Sequence, residues 1–269
     1  MKIRNFILAL VASFTLTNCA EDVEELAKPF LTRAQQSYAN KQYALAKLQI
    51  DSIKQLYPKA FEARKQAGDL LIEVELSEAY NGKCYTDSQL SEAQTRATTL
   101  AAALYLDKDV KYQDYGTYYA AQHHAEKNAS KSYLRPQASE KDGAFTVTAF
   151  YRGKPIGAQT LRFTASDGSY IDLQPTADPY VMSDAAGRTE RTDFSATPDL
   201  VHFVTLHTTP KVTLIGKEGK AQMPFTKADA LVLTQVADLS AALKAVSTLQ
   251  AEQQELTRRI TFYEQRQAR

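Results

Sequence analysis

Four histidines and two cysteines are the whole stock of imidazole and thiol in this chain of 269 residues. Metal ligation and nucleophilic catalysis therefore have few places to start. His123 and His124 are adjacent; on a helix their side chains diverge by about 100°, which keeps both from binding one metal ion easily. His202 and His207 lie five apart in "LVHFVTLHT". Read as a strand, that odd spacing puts them on opposite faces. The sequence contains no phosphate-binding loop, no Gly-Xaa-Ser-Xaa-Gly elbow, no His-Glu-Xaa-Xaa-His helix and no pair of metal-spaced cysteines. Ten glycines leave little material for loops that cradle a cofactor. The expectation is a chain with no catalytic residues, no cofactor and no metal.

The densest chemistry-bearing stretch is aromatic. "YLDKDVKYQDYGTYYAAQHHAEKNASKSYLRP" carries six tyrosines, Tyr105, Tyr112, Tyr115, Tyr118, Tyr119 and Tyr133. An aromatic stripe near helical spacing is first of all packing surface. It can also be a contact surface, and Tyr112, Tyr115, Tyr118 and Tyr119 are the candidate partner-binding residues. The chain has no Trp, which lowers a sugar-stacking role, though Tyr can replace it.

Charge narrows the partners further. With 32 basic and 31 acidic side chains, nothing offers the basic excess that nucleic acid requires. The start of the chain supplies an address instead. Lys2 and Arg4 precede an uncharged run at 6–16, too short to span a bilayer, and this is the pattern of a signal peptide over residues 1–18. The following "LTNC" resembles a bacterial lipobox, with Leu16 at the apolar position, Thr17 at the small one and Asn18 departing from the usual small residue. The resemblance implies that Cys19 becomes the lipidated first residue of the mature chain; the alternative is ordinary cleavage near Ala20. Acidic "AEDVEE" after the cysteine is similar to the segment that goes with surface export in Bacteroidetes-type lipoproteins, and the facing, periplasmic or surface, stays open. With Cys19 acylated, Cys84 has no disulfide partner and reads as a small buried hydrophobe.

Periodicity then orders the elements. Residues 23–133 read as helical. "FLTRAQQSYANKQYALAKLQIDSIKQLYPKA" pairs two amphipathic segments around a polar turn at 40–42. Ala34, Tyr43, Ala46, Ile50, Ile53 and Pro58 fall where a tetratricopeptide repeat places its small, aromatic, apolar and terminating residues, and the segment resembles one such unit. Two further helical faces follow, Ala60, Ala63, Ala67, Leu70 and Val74, then Leu90, Ala93, Ala97, Leu100 and Leu104, separated by "NGKC" at 81–84. Residues 134–143 read as a linker. From 144 to 225 alternation takes over, with Phe145, Val147, Ala149 and Tyr151 on one strand face and a hairpin at Asp167-Gly168. Six or seven strands there predict a small antiparallel sandwich or barrel. Thr226 and Asp229 form a capping box, and residues 226–269 contain no Gly or Pro. Leu239, Val246, Gln253 and Ile260 repeat every seven, as do Ala242, Leu249, Leu256 and Tyr263. That seam predicts a long helix packing back on the N-terminal helices, its basic last turns (Arg258, Arg259, Arg266, Arg269) projecting. A homodimeric coiled coil is the alternative to a monomer.

The fold class is thus α+β. The layout resembles uncharacterised Bacteroidetes-type envelope lipoproteins, and "SYLRPQ" is one of the short words carrying that likeness. The expected role is a non-enzymatic outer-membrane lipoprotein that engages another envelope protein, or alternatively a glycan or peptidoglycan fragment.

Overall fold

The computed structural model describes residues 22–184, 187–207 and 209–268. Cys19, the signal segment and the lipobox lie outside them. Helix α1 (Val23–Ala39) starts at Asp22, whose side chain accepts the Glu24 N–H at 3.0 Å. Lys41, in the left-handed region (φ 59°), turns the chain into α2 (Tyr43–Leu56), which stops before Pro58. Ala34 and Ala46 are fully buried between the two helices, as their small size requires. Helix α3 (Phe61–Ala101) follows, and the Glu24 carboxylate caps it by accepting the Glu62 and Ala63 N–H groups at 3.1 and 3.0 Å.

Helix α3 corrects one expectation. It runs unbroken through Asn81 and Gly82, where the sequence signalled a stop. Gly82 faces Leu256, and an added Cβ would sit 3.2 Å from that side chain. Close packing offsets the propensity cost of about 1 kcal/mol for a mid-helix glycine. Cys84 on the same helix is exposed rather than buried.

After α3 the helical reading of residues 19–133 fails. β1 (Tyr105–Asp107), β2 (Thr117–Tyr119), a 3₁₀ turn (Ala121–His123), a short α4 (Ala125–Asn128) and β3 (Tyr133–Ser139) follow. The tyrosines that look helically spaced pair as strands, Tyr105 opposite Tyr119, because aromatic residues fit a pleated surface well. The expected linker at 134–143 is mostly β3, paired from Tyr133 to Ala138 with β4 (Phe145–Arg152). Pro136 is tolerated there because β2 covers only Ala138 and Ser139, which leaves Pro136 on an edge.

The remaining strands are β5 (Ala158–Thr164), β6 (Tyr170–Leu173), β7 (Tyr180–Asp184), β8 (Gly187–Ser195), β9 (Lys211–Gly216) and β10 (Gly219–Met223). "LVHFVTLHT" is not a strand. Pro198 opens helix α5 (Pro198–Leu206) at a position where its missing N–H costs nothing, and Leu200 and Val204 turn one face into the core. His202 is exposed on that helix, and His207 caps its end. The strands form two antiparallel sheets, a six-stranded one in the order β1-β2-β3-β4-β8-β7 and a four-stranded one in the order β10-β9-β5-β6. Their inner faces share one core, with Leu134, Val147, Ala149 and Phe194 from the first and Leu161, Phe163, Val212 and Leu214 from the second. The sandwich expectation holds.

Helix α6 (Lys227–Gln267) begins at the expected capping box. Asp229 accepts the Thr226 N–H at 2.8 Å and its own N–H reaches Thr226 Oγ1 at 3.3 Å. By length and composition this helix could cross a membrane, yet Leu233, Val236 and Leu239 are fully buried in protein.

The chain divides into two compact units, one of residues up to Asn81 together with those from Thr257, the other running from Gly82 to Leu256. In the first, the hairpin and the early turns of α3 build a core from Ala27, Ala46, Ile50, Ile53, Ala67 and Val74. The last turns of α6 pack there on α3. Arg259 donates to Glu75 at 2.8 Å, Lys47 donates to Glu78 at 2.7 Å, and Tyr80 donates to Glu264. The expected projecting basic end is therefore corrected, because two acidic side chains on α3 hold Arg259. Arg269 lies outside the described residues. In the second unit α6 packs on the later half of α3 through Leu239, Ala242 and Ala97.

Candidate functional site

The six-stranded sheet has a second face, and antiparallel register assembles it. Tyr133 stands opposite Phe150, and Phe150 opposite Arg191, which stands opposite Tyr180. One residue pair along, Arg135 stands opposite Thr148 and Thr148 opposite Asp193. A third row holds Gln137, Thr146 and Ser195. Side chains alternate faces along a strand, so all of these point away from Leu134, Val147 and Phe194 of the shared core.

Arg135 is the centre of this face. Its guanidinium carbon lies 4.4 Å from the Tyr119 ring centroid and 4.9 Å from that of Phe150. The side chain is 8% exposed. Its Nε donates to Gln137 Oε1 at 3.1 Å, and no carboxylate of the described residues lies within ion-pair distance. Burial pulls its pKa below the ordinary arginine value; the nearby Tyr133 and Tyr119 oxygens push the other way. Arg191 adds a second guanidinium 5.9 Å from the Phe150 centroid, paired with Asp193 at 3.1 Å. Asp193 also accepts from Thr148, so it is occupied. The rings of Tyr133 and Phe150 stack in parallel at 4.5 Å. Tyr119 is fully covered and donates to Asp107 at 3.0 Å; burial first, then this carboxylate, push its phenol up to about 12. Two buried donors on the same face, Tyr133 Oη and Arg191 Nε, have no hydrogen-bond partner among the described residues. Each such group costs about 1–3 kcal/mol. A sheet surface optimised only for stability would not keep them beside a cation with no carboxylate at ion-pair distance among the described residues.

A cleft of about 340 Å³ adjoins the Tyr133 end, lined by His123, Asn128, Lys131, Thr226 and Asp229 among others. His123 is buried, and its Nε2 lies 3.3 Å from Asp229 Oδ1. Burial alone would raise the Asp229 pKa; hydrogen bonds from His123 and Thr226 outweigh it and hold the carboxyl below its usual range. His123 Nδ1 is unpartnered among the described residues. A larger groove of about 770 Å³ lies between α5 and α6, with Phe145, Val201, Ala237 and Ala241 on its walls. Among the described residues no cluster of three His, Cys, Asp or Glu side chains is placed to hold a metal ion.

The four tyrosines singled out in the sequence do not form one surface. Tyr112 and Tyr115 are exposed in the β1–β2 loop, at 74% and 54%. Tyr118 packs beside Leu239 and Ala97. Tyr119, next along the strand, points the other way and alone joins the Arg135 face. Sequence reasoning named Tyr133 among the six tyrosines without singling it out, and missed Arg135, Phe150 and Arg191. The signal was present as period-two spacing in "YLRPQ" and "TVTAF", on the parity opposite to the apolar positions.

Compared with protein-family models, with curated proteins and with solved structures, the chain matches none.

Proposed function

We propose that this chain is a non-enzymatic binding protein of the cell envelope, held at the membrane through a lipid on Cys19, that captures an anionic ligand on the outer face of its six-stranded sheet. The observation that carries the binding role is Arg135, nearly buried between two aromatic rings with one hydrogen bond and no carboxylate partner. Cation–π contacts keep the guanidinium positioned, and the Asp107 carboxylate acts on it only from beyond ion-pair distance. An incoming anion supplies the missing ion-pair contact. Amide-resolved titration of the protein with acetate and with sulfate tests this. Saturable shifts confined to β3, β4 and β8, and absent in Arg135→Gln, support it, whereas no saturable shift in the intact protein refutes it. The anchor is tested separately, since labelled palmitate should enter the natural chain and not Cys19→Ser.

A second reading, an interaction module for another envelope protein, is favoured by α2. Leu45, Leu48 and Leu56 are 42%, 60% and 60% exposed, and their spacing puts them along one side of the helix, flanking the buried Ala46, Ile50 and Ile53. The hairpin then serves as a repeat-like platform. A crosslinked adduct that disappears on Leu48→Lys supports it; an adduct unaffected by that change counts against it.

A further inference from the structure

We infer that the ligand of the Arg135 face is a carboxylated sugar, its carboxylate on the Arg135 guanidinium and its ring against Tyr105, the exposed ring beside Tyr119; this rests on the anion-binding reading above. The planar guanidinium fork matches a carboxylate and holds it with directed, charge-assisted bonds. A bare anion needs nothing more, yet the face offers more. Tyr180 and Tyr105 stand on the two outer strands of the same sheet, β7 and β1, at 65% and 41% exposure. With about 4.8 Å between strands, Tyr180 lies about 14 Å from Tyr133 across three strand spacings, room for more than one sugar ring. Between the exposed rings runs the row of Gln137, Thr146 and Ser195, all at least partly open. These are short neutral donors and acceptors suited to hydroxyl groups.

Competing ligands fit less well. β4 lies between paired neighbours, and the stretch of β3 that β2 leaves uncovered carries Pro136, which has no N–H to give an added strand, so the face suits peptide strand addition poorly. A phosphate-backbone polymer needs a basic excess, and the chain's net charge is +1.

The test is calorimetric titration of the full chain in detergent with methyl glucuronide, methyl glucoside, sodium acetate and an Asp-rich peptide. Methyl glucuronide should bind at least about tenfold more tightly than methyl glucoside, the difference one charge-assisted contact supplies, and more tightly than acetate or the peptide, which lack the sugar ring. Arg135→Lys keeps the charge and loses the fork, and should weaken glucuronide binding by about tenfold. Tyr105→Ala removes the exposed ring beside Tyr119, within reach of a single sugar held on Arg135, and should weaken glucuronide and leave acetate unchanged. Acetate as tight as glucuronide overturns the sugar inference while the anion reading stands; equal binding of the neutral glucoside overturns both, because the carboxylate then contributes nothing. Preference for the peptide also overturns it. Failure of all four ligands to bind removes both.

Discussion

Glu190 on β8 is fully buried, and it is the side chain whose alteration should be felt most. Its carboxylate reaches the segment that carries the chain from β4, in one sheet, to β5, in the other. Oε2 accepts the N–H groups of Ile156 at 2.6 Å and Gly157 at 3.2 Å, and Oε1 accepts that of Ala158 at 2.6 Å. Three consecutive backbone donors, none belonging to a helix, depend on one acidic side chain. Glu190→Gln keeps one oxygen, enough for the Ile156 and Gly157 pair, and sets an NH₂ against the Ala158 N–H. One buried donor is then unpaired, at about 1–3 kcal/mol, and the surviving bonds lose their charge assistance. The total is about 2–4 kcal/mol. For a chain of this size that lowers Tm by roughly 5–15 °C. Glu190→Ala leaves all three donors unpaired beside a cavity, and should melt lower still. Calorimetry or far-ultraviolet circular dichroism reads both. A Tm for Glu190→Gln within about 2 °C of the natural protein would refute the argument that this carboxylate ties the two sheets.

Other outcomes follow from single positions. Ala46 is fully buried where α1 meets α2, so Ala46→Leu should overpack the hairpin by about 1–3 kcal/mol, visible as a lower denaturant midpoint. Gly143 holds φ at 68°, and a Cβ there would meet the Ser240 carbonyl oxygen at 2.4 Å. Gly143→Ala should therefore cost more than the strain of about 1–3 kcal/mol alone, with reduced soluble yield as the first sign. The Tyr119 phenol is raised to about 12, so its contribution to stability is complete below its unfolded value near 10 and is lost as pH rises through about 12. Ultraviolet titration should show a tyrosine ionising late, and Asp107→Asn should bring it earlier.

Much of the architecture was legible because its signals are local. The Thr226–Asp229 box, the Asp167-Gly168 hairpin and the three-four spacing of Ala60, Ala63, Ala67, Leu70 and Val74 each lie within one element, and each was found in place. The errors lie where a distant partner decided. Strands β1 to β3 exist because β4 offers β3 a complete edge from Tyr133 to Ala138. Gly82 stays helical because Leu256, far along the chain, packs on it. The site was the least legible part. Arg135, Phe150 and Arg191 sit on three strands and meet only through register, which sequence alone does not fix. What the sequence did contain was the polar parity of those strands.

The pairing of Arg259 with Glu75 spans 184 positions of the chain. The hairpin and α3 emerge early in synthesis, and their helices can form at once, since helices need only neighbours. The acidic side chains of Glu75 and Glu78 then share one cation, Lys47 of the hairpin, while the whole intervening sandwich is made. Only the final turns of α6 bring the second cation, Arg259, that matches the two carboxylates. Assembly of the first unit is therefore the last event in its own biogenesis, however quickly its parts fold. A chain stopped short of Thr257 keeps every residue of the second unit and leaves the first with two carboxylates sharing Lys47 alone, a built-in distinction between finished and unfinished molecules.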